Sequence, residues 1–189
     1  MDRVSNDNIY LPVKAEIISI VQETTSPDLD VKTYRLKFSG SSGMEFIPGQ
    51  FVELGIPGMG EAPFGFASSP LEKDFIELSI KKVGLLTEEL HSMDTGSSVW
   101  IRGPFGNTFP VTEMEGKDIL FIAGGLGLAP LRPLILYVLS GEHRQKYGKV
   151  QMLIAARSTG DFIYKNEYEA WKKEDDTDIT LTIDKPEEG

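Results

Sequence analysis

Ala123-Gly124-Gly125-Leu126-Gly127-Leu128-Ala129-Pro130-Leu131-Arg132 decides how the second half of this 189-residue chain folds. An unbroken apolar run, Ile119–Ala123, leads into it, without the alternation of a half-exposed strand; it reads as a strand buried on both faces. The glycines then turn the chain, and a helix is expected from about Ala129 to Ser140. Pro130 suits its first turn, where a missing N–H costs nothing. Pro133 is tolerated if the helix begins near Pro130. Downstream, Val150–Ala156 reads as a second buried strand, Lys165–Lys173 as a second helix and Ile179–Ile183 as a third strand. That succession, β-α-β-α-β, is the pattern of a parallel sheet.

Upstream the texture differs. Turn clusters such as Ser26-Pro27-Asp28, Ser39–Gly43, Pro48-Gly49, Pro57–Gly60 and Ser68-Ser69-Pro70 punctuate the chain from Lys14 to about Arg102. Between them Ala15–Val21, Thr33–Phe38, Phe51–Ile56, Phe75–Lys81 and Val99–Arg102 read as strands, with one short helix at Thr87–Met93. Short strands at this spacing predict an antiparallel β barrel or sandwich. The polar connector Val111–Lys117 divides the two textures, giving residues 1–111 as a β domain and 112–189 as an α/β domain.

Composition excludes several classes. With 19 Lys+Arg against 29 Asp+Glu the net charge is −10, which disfavours a nucleic-acid partner. There is no cysteine, hence no disulfide, thiolate nucleophile or cysteine-held cluster in these residues. That absence fits a cytoplasmic protein. The opening Met1-Asp2-Arg3-Val4-Ser5-Asn6 is unlike a signal peptide, and Leu126–Leu139 is too short to span a bilayer, so no membrane insertion is expected. The sequence offers no His/Asp/Glu metal-ligand set, no Gly-x-Ser-x-Gly and no Gly-Lys-Ser/Thr. His91 and His143 read as surface residues.

Gly-rich strand-to-helix turns expose helix N–H groups to an anion such as a pyrophosphate; a ligand-free βα turn would look the same. The acidic residue that ordinarily closes the second strand of a dinucleotide fold is missing, since that strand ends Ala155-Ala156-Arg157-Ser158-Thr159. Arg157 can pair with a phosphate or stack on adenine, or simply face solvent. Gly84-Leu85-Leu86-Thr87 opens the short helix, with Thr87 a natural N-cap whether or not a phosphate is present. Glu61–Pro70 reads as an aromatic, glycine-bearing loop able to lie against a flat ring, or to pack in a core.

In order, Phe46-Ile47-Pro48-Gly49-Gln50-Phe51, Gly60–Pro63 through Ser68-Ser69-Pro70, Lys81–Thr87, Arg102-Gly103-Pro104-Phe105-Gly106-Asn107, Ala123–Arg132 and Ala156-Arg157 resemble the ferredoxin–NADP reductase superfamily. Within it they are similar to the branch of sulfhydrogenase gamma, anaerobic sulfite reductase B and electron-transfer dihydroorotate dehydrogenase subunits. The resemblance runs from about Tyr10 to the last residue. It implies an FAD-binding barrel followed by an NAD- or NADP-binding domain. It further implies a flavin oxidoreductase that passes electrons between the nicotinamide and an iron–sulfur centre or partner protein outside these residues. No general base is then required and no catalytic side chain is assigned. The family's flavin loop, Arg-x-Tyr-Ser, falls on Ala62-Pro63-Phe64-Gly65, which implies that Phe64 and Gly65 lie beside the flavin and that Phe66 and Ala67 line it. Gly84, Leu85, Leu86 and Thr87 would meet the FAD pyrophosphate. Gly125, Gly127, Leu128 and Pro130 would cradle the nicotinamide dinucleotide, with Arg157 near its adenosine end.

Three positions depart from the pattern: Ala62 for arginine, Phe64 for tyrosine and Gly65 for serine. Losing a charge-assisted phosphate contact weakens binding by about 1.5–3 kcal/mol, unless Lys81, Lys82 or the helix N-terminus compensates. These departures keep open a second reading, a non-catalytic docking module of the same fold that has lost its flavin. The α/β half also reads as truncated, because family members continue past a third strand. In a 3-2-1 strand order, Ile119–Ala123 would lie at an uncovered apolar edge, so the chain is expected to be a fragment or to have that edge covered by something else.

Overall fold

A computed structural model describes residues 8–39 and 43–184. The antiparallel half has six strands: β1 (Val13–Gln22), β2 (Val31–Phe38), β3 (Phe51–Ile56), β4 (Gly60–Gly65), β5 (Ile76–Lys81) and β6 (Ser98–Phe105). They pair in the order β4-β3-β6-β1-β2-β5. The Ala67 N–H, just past β4, donates to the Glu77 carbonyl of β5 (2.8 Å), drawing the two outer strands together as in a barrel. Alternation places Tyr34, Leu36 and Phe38 of β2 inside with Val52, Leu54, Ile76, Leu78, Ile80, Val99 and Ile101. Helix α1 (Leu85–Ser92) follows β5 and inserts Leu90 into the same core.

The parallel half comprises β7 (Ile119–Gly124), α2 (Leu128–Val138), α3 (Gly141–Arg144), β8 (Val150–Ala156), α4 (Tyr168–Trp171) and β9 (Thr177–Ile183), with sheet order β7-β8-β9. The 3-2-1 order is as expected. Paired residues of parallel strands share a face, so Ile119, Phe121 and Ala123 stand with Val150, Met152, Ile154 and Ala156. Leu134, Ile135 and Val138 of α2 and Tyr168 and Trp171 of α4 belong to the core formed on that face. Val31, at the start of β2, also packs in this second core, which ties the two halves together.

Several expectations require correction. Ile119–Ala123 is buried on one face only, since Leu120 and Ile122 point to the other and are 60% and 63% exposed. Gly60–Gly65, expected to be turn and loop, forms strand β4. The helix expected over Lys165–Lys173 is a single turn at Tyr168–Trp171, because Tyr164 takes a left-handed φ of 58° and a turn follows it. Helix α2 begins at Leu128, so Pro133 lies in its interior and the Ala129 carbonyl loses its usual N–H partner. His91 is buried, its Nε2 against the Ile80 carbonyl (3.0 Å) and its Nδ1 3.4 Å from Asp30.

Candidate functional site: a cleft between the two sheets

Parallel sheets present ligands with the C-terminal ends of their strands. Here Gly124-Gly125-Leu126 leave β7, Ala155-Ala156-Arg157 close β8, and Asp184 follows β9; all line one cleft of about 330 Å³. Asp28, Leu29 and Lys81 of the antiparallel half form the opposing wall, and Asp161 joins them from the turn Thr159–Asp161. Such a volume lies within the range of small-molecule sites. Gly125 has φ +51°, a conformation favouring glycine, and a Cβ built on Gly124, Gly125 or Gly127 would meet nothing within 4 Å. Open space above these three glycines leaves room for a ligand at the turn.

Beside this cleft the two halves touch. Gly65 ends β4, and a Cβ placed there would stand 3.2 Å from Cβ of Pro130, in the first turn of α2. The end of β4 and the first turn of α2 therefore lie against each other.

A buried polar network holds that apposition. Arg132, one turn beyond Gly127, donates to the Ala67 carbonyl (2.6 Å), to Glu77 Oε2 (2.7 Å) and, through two nitrogens, to both oxygens of Glu167 (2.6 and 3.0 Å). Burial works against its charge, but Glu167 and then Glu77 outweigh that penalty and hold the guanidinium above its ordinary range. Glu77 Oε1 accepts from Arg35 on β2 (2.8 Å). Glu23 accepts from the Tyr164 N–H (2.9 Å) and from the Thr33 hydroxyl (2.7 Å); Thr33 meets Ser79, and Ser79 meets the Tyr164 hydroxyl.

The residues singled out from sequence fall into three groups. Gly125, Gly127 and Pro130 lie at the turn, Pro130 against Gly65, and Arg157 is exposed on the cleft wall. Leu128 is 1% exposed, with its side chain in the parallel core, and its N–H is engaged by the Gly125 and Leu126 carbonyls. Phe64 is half-buried beside Gly65, but Phe66 and Ala67 are buried; the Phe66 ring stacks on Phe46 at 3.8 Å. Only their backbone can face a ring outside. At α1, the Thr87 hydroxyl accepts from the Val83 and Gly84 N–H groups (2.8 and 3.0 Å) and donates to the Gly84 carbonyl (2.9 Å). It is fully used in capping, so the first-turn N–H groups of Leu85 and Leu86 are what this end offers an anion. Sequence reasoning misses Arg132, Glu77 and Asp161, and it brings in Lys81 only as a cation that could compensate for Ala62. The lack of an acidic residue at the end of β8 was the available signal to look further along the chain, where Asp161 lies five positions after Ala156 and lines the cleft.

The profile of the oxidoreductase FAD-binding domain family matches residues 19–109, and that of the oxidoreductase NAD-binding domain family matches residues 121–189. Sulfhydrogenase 1 subunit gamma of Pyrococcus furiosus is 41% identical over 170 residues, 88% of this chain and 56% of its own length. The probable dihydroorotate dehydrogenase B (NAD(+)) electron transfer subunit of the same organism is 38% identical over 117 residues, 62% of this chain and 42% of its own. The chain thus spans about half the length of the curated relatives it matches. Among solved structures, ferredoxin-NADP+ reductase from Plasmodium falciparum superposes with a TM-score of 0.80 at 14% identity, covering 96% of this chain and 75% of that one. The Amycolatopsis cytochrome P450 reductase GcoB gives 0.79 at 22%, over 94% and 54%.

Proposed function

We propose, from the premise that this chain belongs to the FAD- and NAD-binding oxidoreductases with the ferredoxin–NADP+ reductase fold, that it is the flavin- and nicotinamide-handling part of an electron-transfer subunit. When bound, the two cofactors supply hydride transfer between nicotinamide and flavin rings, and the protein's work is to position the rings and exclude water.

The observation that carries this reading is the contact of Gly65 with Pro130, because two flat rings held by the two halves can meet only where the halves meet. The residues present fit both groups. For FAD, Gly84 has open space above it and the Leu85 and Leu86 N–H groups head α1, suited to a pyrophosphate; Phe64 offers a half-buried ring and Gly65, Phe66 and Ala67 offer backbone. For the dinucleotide, the turn Gly125–Gly127 with Pro130 supplies the cradle, Leu128 contributes through the fold of that turn, and Lys81 and Arg157 supply cations on the cleft wall. We assign residues 1–111 to flavin binding and 112–189 to nicotinamide binding.

Electrons would leave for an iron–sulfur centre or partner subunit outside these residues, which contain no cysteine. Among the described residues no three His, Cys, Asp or Glu side chains form a metal-holding group, and no helix is long and apolar enough to cross a membrane. The cytoplasm is the compartment this reading favours. The test is the visible spectrum of the purified protein titrated with FAD: a bound flavin, bleached anaerobically by a reduced nicotinamide dinucleotide, is expected. A protein that takes up no FAD would sink the reading and leave the docking module in its place.

A further inference from the structure

Asp161 is 4% exposed, and its Oδ1 has no hydrogen-bond partner although it is shut away from solvent. An unpaired carboxylate oxygen in such a place is costly. Its backbone is fixed, its N–H donating to the Ser158 carbonyl (3.2 Å), and the preceding Gly160 carbonyl accepts from the Thr25 N–H (3.0 Å). The residue nevertheless lines the cleft, beside the glycine turn. A carboxylate can only accept hydrogen bonds here, so the ligand part that satisfies it must bring an O–H or N–H.

The charge of the lining points the same way. Asp28, Asp161 and Asp184 oppose Lys81 and Arg157. A pyrophosphate held at the turn would draw on those two cations. A further phosphate monoester, carrying about −1.5 to −2, would then face three carboxylates.

We propose that Asp161 accepts a hydrogen bond from a ribose hydroxyl of the bound dinucleotide, and that the cleft therefore selects adenosine with a free 2′-hydroxyl over its 2′-phosphorylated form. This rests on the assignment of the cleft to the nicotinamide dinucleotide. The carboxylate does for this site what an acidic residue at the strand end does elsewhere, from a turn five residues further on.

The test measures binding of ADP-ribose and 2′-phospho-ADP-ribose by isothermal titration calorimetry, with no turnover involved. The wild-type protein should bind ADP-ribose at least 10-fold more tightly. Asp161→Asn should lose about 10- to 100-fold for ADP-ribose, the equivalent of one hydrogen bond to a charged group, and narrow the gap between the ligands. Equal binding of the two by wild type, or tighter binding of the phosphorylated one, overturns the selectivity while leaving the cleft assignment standing; that comparison needs no variant. Unchanged ADP-ribose affinity in a folded Asp161→Asn protein overturns the role of Asp161. Failure of wild type to bind either ligand overturns the cleft assignment and the proposal together.

Discussion

Replacing Arg132 by methionine keeps most of the side-chain volume while removing its five donors. The arginine is about nine-tenths buried and serves three partners: the Ala67 carbonyl, Glu77 and Glu167. Removing one member of a buried ion pair typically costs about 3–5 kcal/mol, because the other charge is left behind. Glu77 retains Arg35, and Glu167, 22% exposed, can rehydrate. Both moderate the loss, placing it at the lower end, about 3 kcal/mol. The two tryptophans make the assay local, since Trp100 lies in β6 and Trp171 in α4, four residues from Glu167. Urea unfolding at pH 7, followed in Trp100→Phe and Trp171→Phe backgrounds, should show the loss from both reporters. A double-mutant cycle with Glu167→Gln should return a coupling above about 1 kcal/mol. A midpoint shift worth less than about 1 kcal/mol, or additive single effects, would refute the view that this arginine clamps the two sheets together.

Other outcomes follow from particular contacts. Gly65→Ser restores the family's serine but places a Cβ 3.2 Å from an exposed Pro130 that can yield a little; a cost near 1 kcal/mol, or a fall of about 2–4 °C in melting temperature, is expected, and an unchanged melt would show that the halves are not in contact there. Gly125→Ala should cost about 1 kcal/mol from its φ of +51° alone and weaken dinucleotide binding; equal stability by calorimetric melting would count against the left-handed turn. The Gln22 amide, donating to Asp30 at 3.0 Å, and secondarily His91, hold the Asp30 carboxyl below its ordinary range against the opposing effect of burial. A lowered folded-state value means that this stabilisation is complete above the unfolded-state value of about 3.9 and is lost as pH falls through the folded one. The stability gap between wild type and Asp30→Asn should therefore be open at pH 6 and close in acid, and a gap constant down to pH 2 would contradict the pairing.

Five of the six antiparallel strands were legible because turn clusters bracket them. The sixth, Gly60–Gly65, was hidden by its own composition: Gly60, Pro63 and Gly65 are residues that ordinarily break strands. It forms because β4 is an outer strand bonded only to β3, where Pro63 opposite Glu53 need not donate on both sides. The run Ile119–Ala123 misled in the opposite sense, since its apolar character describes both faces of β7 while the described residues cover one. The order of the parallel strands followed from the β-α-β-α-β pattern, as did the placing of the glycine turn. The interface did not. Its partners lie 55 residues apart in Glu77–Arg132, 85 in Ser79–Tyr164 and 141 in Glu23–Tyr164, and no local period encodes pairings of that range. Thr87 was legible as a cap, and its complete saturation by Val83 and Gly84 emerges only with coordinates.

Glu77 gives one oxygen to Arg35 and the other to Arg132. A single planar group is thereby gripped from both sides, and any hinge-like parting of the sheets would have to tear one grip before it could widen the groove between them. If the cleft takes the dinucleotide, as proposed, entry along the rim would leave both grips intact. Exchanging one nucleotide for another should leave the angle between the sheets as it was.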